Sequence, residues 1–154
     1  MRLLFLCIAL GFAISRPGAA AEAPAAHEPA VTISDAWVRW LPSNLPAGGY
    51  FTLRNIGTRP QVLTGATSPD FSQVSLHRSL QRGGVSVMEP VERIEIAAGA
   101  SLRLAAGGYH LMLEQATRPV QPGDRVAITL HFSDGSSRAA LFEVRKPDAA
   151  DAPP

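Results

Sequence analysis

Cysteine is nearly absent from this 154-residue sequence: Cys7 is the only one, and it stands inside an N-terminal apolar run. Basic clusters are missing too. The 14 Lys and Arg residues are scattered singly against 13 Asp and Glu, a formal charge of +1, so the electrostatic footprint that nucleic acid requires is not there. No stretch of a dozen residues keeps a helical period. Neither His-Glu-x-x-His, nor a phosphate-binding loop, nor a Gly-x-Ser-x-Gly elbow occurs, which removes the motif-based case for an enzyme and leaves no catalytic residue to nominate. The apolar run itself is too short for a stable bilayer span.

What is present begins with an export signal. Met1-Arg2 is followed by the apolar stretch Leu3 to Ile14 and then by the small residues Gly18-Ala19-Ala20-Ala21. That is the order of a secretory signal peptide over residues 1–21, with cleavage expected after Ala21 and no stable membrane anchor left behind. Cleavage removes Cys7, so the mature chain can form no disulfide, thiolate metal site or cysteine nucleophile. Losing Arg2 and Arg16 leaves 12 basic against 13 acidic residues, a charge of −1. Met1 goes as well, and the remaining methionines are Met88 and Met112.

Residues 22–30 and 147–154 are rich in Pro and Ala and read as flexible tails. Between them, 31–146 reads as one domain of short alternating segments: 31–40, 48–55, 61–66, 73–80, 85–91, 93–96, 101–104, 108–114, 125–132 and 138–145. Turn signals such as Arg82-Gly83-Gly84, Gly107-Gly108, Pro122-Gly123-Asp124 and Asp134-Gly135-Ser136 separate them. Many short strands at this spacing predict an all-β Greek-key sandwich or barrel.

Two segments carry the chemistry. If Gln81-Arg82-Gly83-Gly84 is a four-residue loop, Leu80 closes against Val85, Ser79 faces Ser86, Arg78 faces Val87 and His77 faces Met88. In Gly107-Gly108-Tyr109-His110-Leu111-Met112-Leu113, the residues Tyr109, Leu111 and Leu113 alternate as a core face, so His110 and Met112 project from the other. Both remaining methionines therefore stand on a polar strand face beside a histidine. Thioether sulfur favours Cu(I) over Zn(II), Mg(II) or Ca(II), and imidazole accepts copper in either oxidation state. Without a thiolate, a blue-copper centre is excluded. From the pattern alone, gap-filling methionines and plain surface histidines remain an equal alternative.

The spacing His77-x10-Met88-x21-His110-x-Met112 resembles the signature of the PCu(A)C-type periplasmic copper chaperones. Ser34-Asp35-Ala36-Trp37, Ala47-Gly48-Gly49-Tyr50-Phe51-Thr52-Leu53 with Asn55, and the segment around His110 are similar to that family as well, across roughly 31–146. The resemblance implies a cupredoxin-like β-sandwich that holds one Cu(I) ion through His77, Met88, His110 and Met112 in the periplasm. It implies delivery to the Cu(A) centre of cytochrome c oxidase subunit II, directly or through a Sco-type protein. Two departures stand out: Arg78 follows the first histidine where many members have a second Met, and the tail 147–154 holds neither His nor Met. A second, Cu(II)-type site is thus not implied.

Other residues have blander readings. Arg78 falls on the strand face opposite His77, as a solvated charge or a contact for an acidic partner. His131 reads as exposed and His27 lies in the N-terminal tail; Trp37 and Tyr50 read as sandwich packing, while Trp40 either packs or covers the rim of a site. Rival functions are copper scavenging or resistance, and a metal-free β-sandwich interaction module.

Overall fold

The computed structural model describes residues 29–42 and 45–147. The expected signal peptide, His27 and most of both expected tails lie outside the described residues. Ten strands form: β1 (Val31–Arg39), β2 (Ala47–Asn55), β3 (Gln61–Thr67), β4 (Phe71–Arg82), β5 (Val85–Pro90), β6 (Ile94–Ile96), β7 (Ser101–Leu104), β8 (Tyr109–Ala116), β9 (Arg125–Phe132) and β10 (Ser137–Arg145). Each matches an expected segment to within two residues at either end, because turn residues punctuate the alternation at every break.

The strands hydrogen-bond in the order β5-β4-β8-β2-β1-β10-β9-β3-β6, with β7 joined to the second half of β2. Among the described residues, only the β1–β10 pairing is parallel. The path folds over so that inward side chains of β2 and β8 meet those of β3, β9 and β10. Leu53, Leu63, Leu111, Val126, Ile128, Leu130 and Phe142 are all fully buried there. Phe51 and Phe142 meet edge to face at 5.6 Å between ring centroids, tying the two layers together. Asn55 is buried as well, and its amide is saturated: Nδ2 donates to the carbonyls of Arg59, Ile96 and Ala97, and Oδ1 accepts from the Gly57 N–H.

Two local irregularities decide what faces the site. In β1 the register with β2 shifts between Ser34 and Trp37, and Asp35 adopts φ +52°. This is a β-bulge, with Asp in the left-handed region that its short polar side chain tolerates. The extra residue changes the phase of the strand. Val31 is buried before the bulge and Val38 after it, so Trp37 and Arg39 turn to the outer face.

The second irregularity is the β4–β5 turn. The four-residue loop is not what forms: Gly83 and Gly84 alone make the connection, with φ +58° and +81°, and Arg82 pairs with Val85. Two glycines at positive φ suit the two-residue turn whose twist matches a hairpin, so Gln81 and Arg82 stay in the strand. The register is therefore two residues from the expected one. Met88 opposes Ser79, Val87 opposes Leu80, Ser86 opposes Gln81, and His77 pairs with Pro90 instead of Met88. A slip of two preserves faces, so Met88 still stands on the same side as His77.

Candidate metal centre

The site lies on the outer face of β5, β4, β8 and β2. Its centre is a directly opposed pair, His77 on β4 and His110 on β8. Their rings stack with centroids 6.0 Å apart and planes 25° from parallel. Met112 is two pairs further along, on the same face, opposite Ser75 on β4 and Gly48 on β2. Met88 reaches in from the other side of the histidines, next to Ser79. Met88, His110 and Met112 together line a cavity of about 380 Å³ whose remaining wall is mostly apolar, including Leu41 and Pro46 of the β1–β2 connection.

Hydrogen bonds orient both imidazoles. Nδ1 of His110 lies 3.1 Å from the Gly108 carbonyl, an acceptor only, so Nδ1 carries the proton and Nε2 keeps its lone pair. Nδ1 of His77 lies 3.3 Å from the Ser75 hydroxyl, which can accept from it and leave Nε2 free in the same way. Metal-binding histidines are commonly held by such a bond on the second ring nitrogen. Burial pushes the His110 imidazole below its ordinary pKa; the Gly108 bond acts in the opposite sense, and the charges of His77 and Arg39 reinforce the lowering. A neutral imidazole with a free Nε2 at pH 7 is the form a metal ion takes.

The four donors are unequally covered. The strand pattern places all of them away from the core and implies a shallow, accessible site. Met88 fits that at 54% exposed, but His110 is only 6% exposed. The cover is Tyr50, whose ring centroid lies 6.5 Å from that of His110 and which is itself buried. Tyr50 does not pack between the layers as the sequence implied. It lies on the outer face, against Trp37 at 4.6 Å, with its hydroxyl folded back over Gly48. A Cβ at position 48 would come within 2.6 Å of that hydroxyl, which gives the glycine of Ala47-Gly48-Gly49-Tyr50 its reason. The alternation Gly48/Tyr50 on a strand beside His110 carries this information, but only once β2 is known to pair with β8.

Among the described residues, no group of three or more His, Cys, Asp or Glu comes together. The candidate donors on this strand face are two imidazoles and two thioethers, a neutral and soft set suited to Cu(I); Met88, His110 and Met112 share the cavity, and His77 stands beside it as the cross-strand partner of His110. Arg78 lies on the opposite face from His77, as expected, with its guanidinium 5.1 Å from the Tyr109 ring centroid. His131 stands away on β9, half-buried, bonded to Thr67 Oγ1 at 2.8 Å. Trp40 packs against the core and donates its indole N–H to the Val120 carbonyl, so it does not cover the rim.

Known proteins carry the same architecture. The copper-bound PCuAC domain from PmoF2 superposes with a TM-score of 0.65 at 23% identity, covering 79% of this chain and 97% of that domain. The Cu(I) form of DR1885 from Deinococcus radiodurans superposes at 0.61 with 31% identity, covering 76% of this chain and 78% of that one. These neighbours establish the cupredoxin-like β fold. In sequence, "Putative lipoprotein Lxx21020" from Leifsonia xyli subsp. xyli (strain CTCB07) is 33% identical over 136 residues, spanning 88% of this chain and 81% of that protein. The names of such relatives point to export. With the family model "Putative lipoprotein LpqE-like" matching residues 31–144, the chain belongs to the LpqE-like family.

Proposed function

We propose that this protein is a periplasmic copper chaperone that binds one Cu(I) ion through His77, Met88, His110 and Met112. The observation that carries the reading is the opposed histidine pair, each ring tethered through Nδ1, flanked on one strand face by the two thioethers. Neutral donors need not lose a proton from a high-pKa group, so loading at neutral pH is straightforward. The copper-bound PCuAC domain from PmoF2 and the Cu(I) form of DR1885 support the same reading. The exposed Met88 supports exchange with a partner over permanent storage. The acceptor we infer is the Cu(A) domain of cytochrome c oxidase subunit II, reached directly or through a Sco-type protein. Export by a signal peptide cleaved after Ala21 completes the proposal, and the intact mass of the exported protein separates a chain starting at Glu22 from a lipid-modified one.

The test is an anaerobic titration of the exported protein with Cu(I) against a coloured chelator, beside the double variant Met88→Leu, Met112→Leu. Leu keeps the apolar volume and removes the sulfur. One equivalent bound by the parent, and weakened at least a hundredfold in the variant, is the expected result. Loss of metal from the loaded protein to an apo Cu(A) domain then distinguishes delivery from scavenging. A parent that cannot compete with the chelator overturns the reading.

A further inference from the structure

Among the described residues, Arg39 is the one of fixed charge lining the cavity, and none of them gives it a counter-ion. The register places it close to the donors. Arg39 pairs with Gly48 on β2, and Gly48 pairs with Met112 on β8, so two strand spacings, about 9–10 Å, separate the backbones of Arg39 and Met112. No side chain stands between them at position 48; the space is taken by the Tyr50 hydroxyl. The guanidinium carbon of Arg39 lies 5.5 Å from the Tyr50 ring centroid, and its Nε is buried with no hydrogen-bond partner. Glu143 is taken by Arg145 and Glu89 by Arg82, while Glu114, two residues beyond Met112 on the same strand face, does not line the cavity.

A fixed cation costs something beside any metal site. The bulge at Asp35 nevertheless turns Arg39 toward this one, and the stack on Tyr50 holds it in place. The candidate donors are neutral and no other described residue lining the cavity carries a fixed charge, so the effect of Arg39 on the site is set by the bound ion's own charge. Repulsion from Arg39 scales with that ion's charge, and at the same position a divalent ion suffers twice what a monovalent ion does. If neutralising Arg39 tightens Cu(I) binding by some factor, it tightens Cu(II) or Zn(II) by the square of that factor.

We propose that Arg39 is a specificity-determining residue, a fixed positive charge that biases the centre toward monovalent copper against divalent ions and keeps Cu(I) releasable. This rests on the Cu(I)-binding reading above and adds to it the basis of its selectivity.

The experiment compares the parent with Arg39→Met and Arg39→Gln, both neutral, and Arg39→Lys, which keeps the charge. Cu(I) affinity is measured by chelator competition, and the Cu(II)/Cu(I) midpoint potential and Zn(II) affinity are measured alongside; thermal unfolding of each apo protein checks the fold. At an effective dielectric near 20, the neutral variants gain about tenfold for Cu(I) and about a hundredfold for Zn(II) and Cu(II). The potential then falls by about 59 mV, one tenfold step for a one-electron couple. Arg39→Lys stays close to the parent in all three. A parent that binds no Cu(I) defeats the chaperone reading itself. A parent that binds Cu(I), with potential and Zn(II)-to-Cu(I) ratio unmoved in whichever neutral variant folds, defeats this inference alone. So does Arg39→Lys behaving like Arg39→Met, because the effect is then one of packing.

Discussion

The two arms of the proposed metal centre are held very differently. β8, which carries His110 and Met112, runs between β4 and β2, and its alternate residues Leu111 and Leu113 are sealed in the core. The β4–β5 hairpin brings His77 and Met88. β5 is the edge of the sheet, with Val85 65% and Met88 54% exposed, and the Arg82–Glu89 ion pair that spans it is largely in water, where such a pair contributes little. Opening free energies within one protein range from near zero at exposed edges to the full stability at core strands. β4, paired with β8 along its length and with Leu76 buried, holds His77 beside His110, so the loose part of the second arm is β5 with Met88. In the proposed chaperone role, the fixed pair would recognise the ion and the loose donor would surrender it.

The largest break in that comparison is expected from the buried arm. His110→Gln removes the imidazole held by Gly108 and covered by Tyr50, and should weaken Cu(I) binding by more than about a hundredfold, roughly 3 kcal/mol. Met88→Leu removes a donor whose side chain is already more than half in water, and should cost about tenfold, with faster transfer to a chelator. Chelator competition gives the affinities, and stopped-flow transfer gives the release rates. Equal losses at the two positions would mean that the arms do not differ in the way their burial implies.

A smaller effect probes the hairpin itself. Gly84 turns at φ +81°, and a Cβ there meets nothing within 4 Å, so Gly84→Ala tests backbone strain alone. The expected loss is about 1–2 kcal/mol of stability, read from a urea midpoint. Because the turn sets the register, the variant should also move Met88 relative to Ser79, visible as weaker Cu(I) binding than the stability loss explains. Unchanged Cu(I) affinity would show that the hairpin's position matters less than its face.

The same contrast explains what was legible in the sequence. Strand alternation places His110 and Met112 on one face beside Leu111 and Leu113, and the β8 segment emerges as expected because core burial enforces its period. The hairpin register did not follow, since face preference is indifferent to a slip of two and only the backbone of Gly83 and Gly84 decides it. Arg39 and Tyr50 were missed at the site for another reason. Their placement depends on a bulge and on which strand pairs with β2, and both are non-local facts that a period along one segment does not contain.

The smallest effect sharpens the comparison through pH. His110 has its pKa lowered, chiefly by burial and further by the charges of His77 and Arg39, while the Gly108 carbonyl opposes them. The folded protein thus takes up a proton at His110 less readily than the unfolded chain, whose histidines titrate near 6.5. Stability from this source is complete above about pH 6.5, declines as the pH drops through that value toward the lowered one, and levels off below it. The urea midpoint of the apo protein should therefore fall between pH 7 and pH 5 by more in the parent than in His110→Gln, where no proton can be taken up at that position. Copper loading should follow the same direction, because a proton on Nε2 and a metal ion exclude each other. An equal fall in both proteins would place the pH sensitivity outside the buried arm, and the cover of Tyr50 over His110 would then have no energetic consequence.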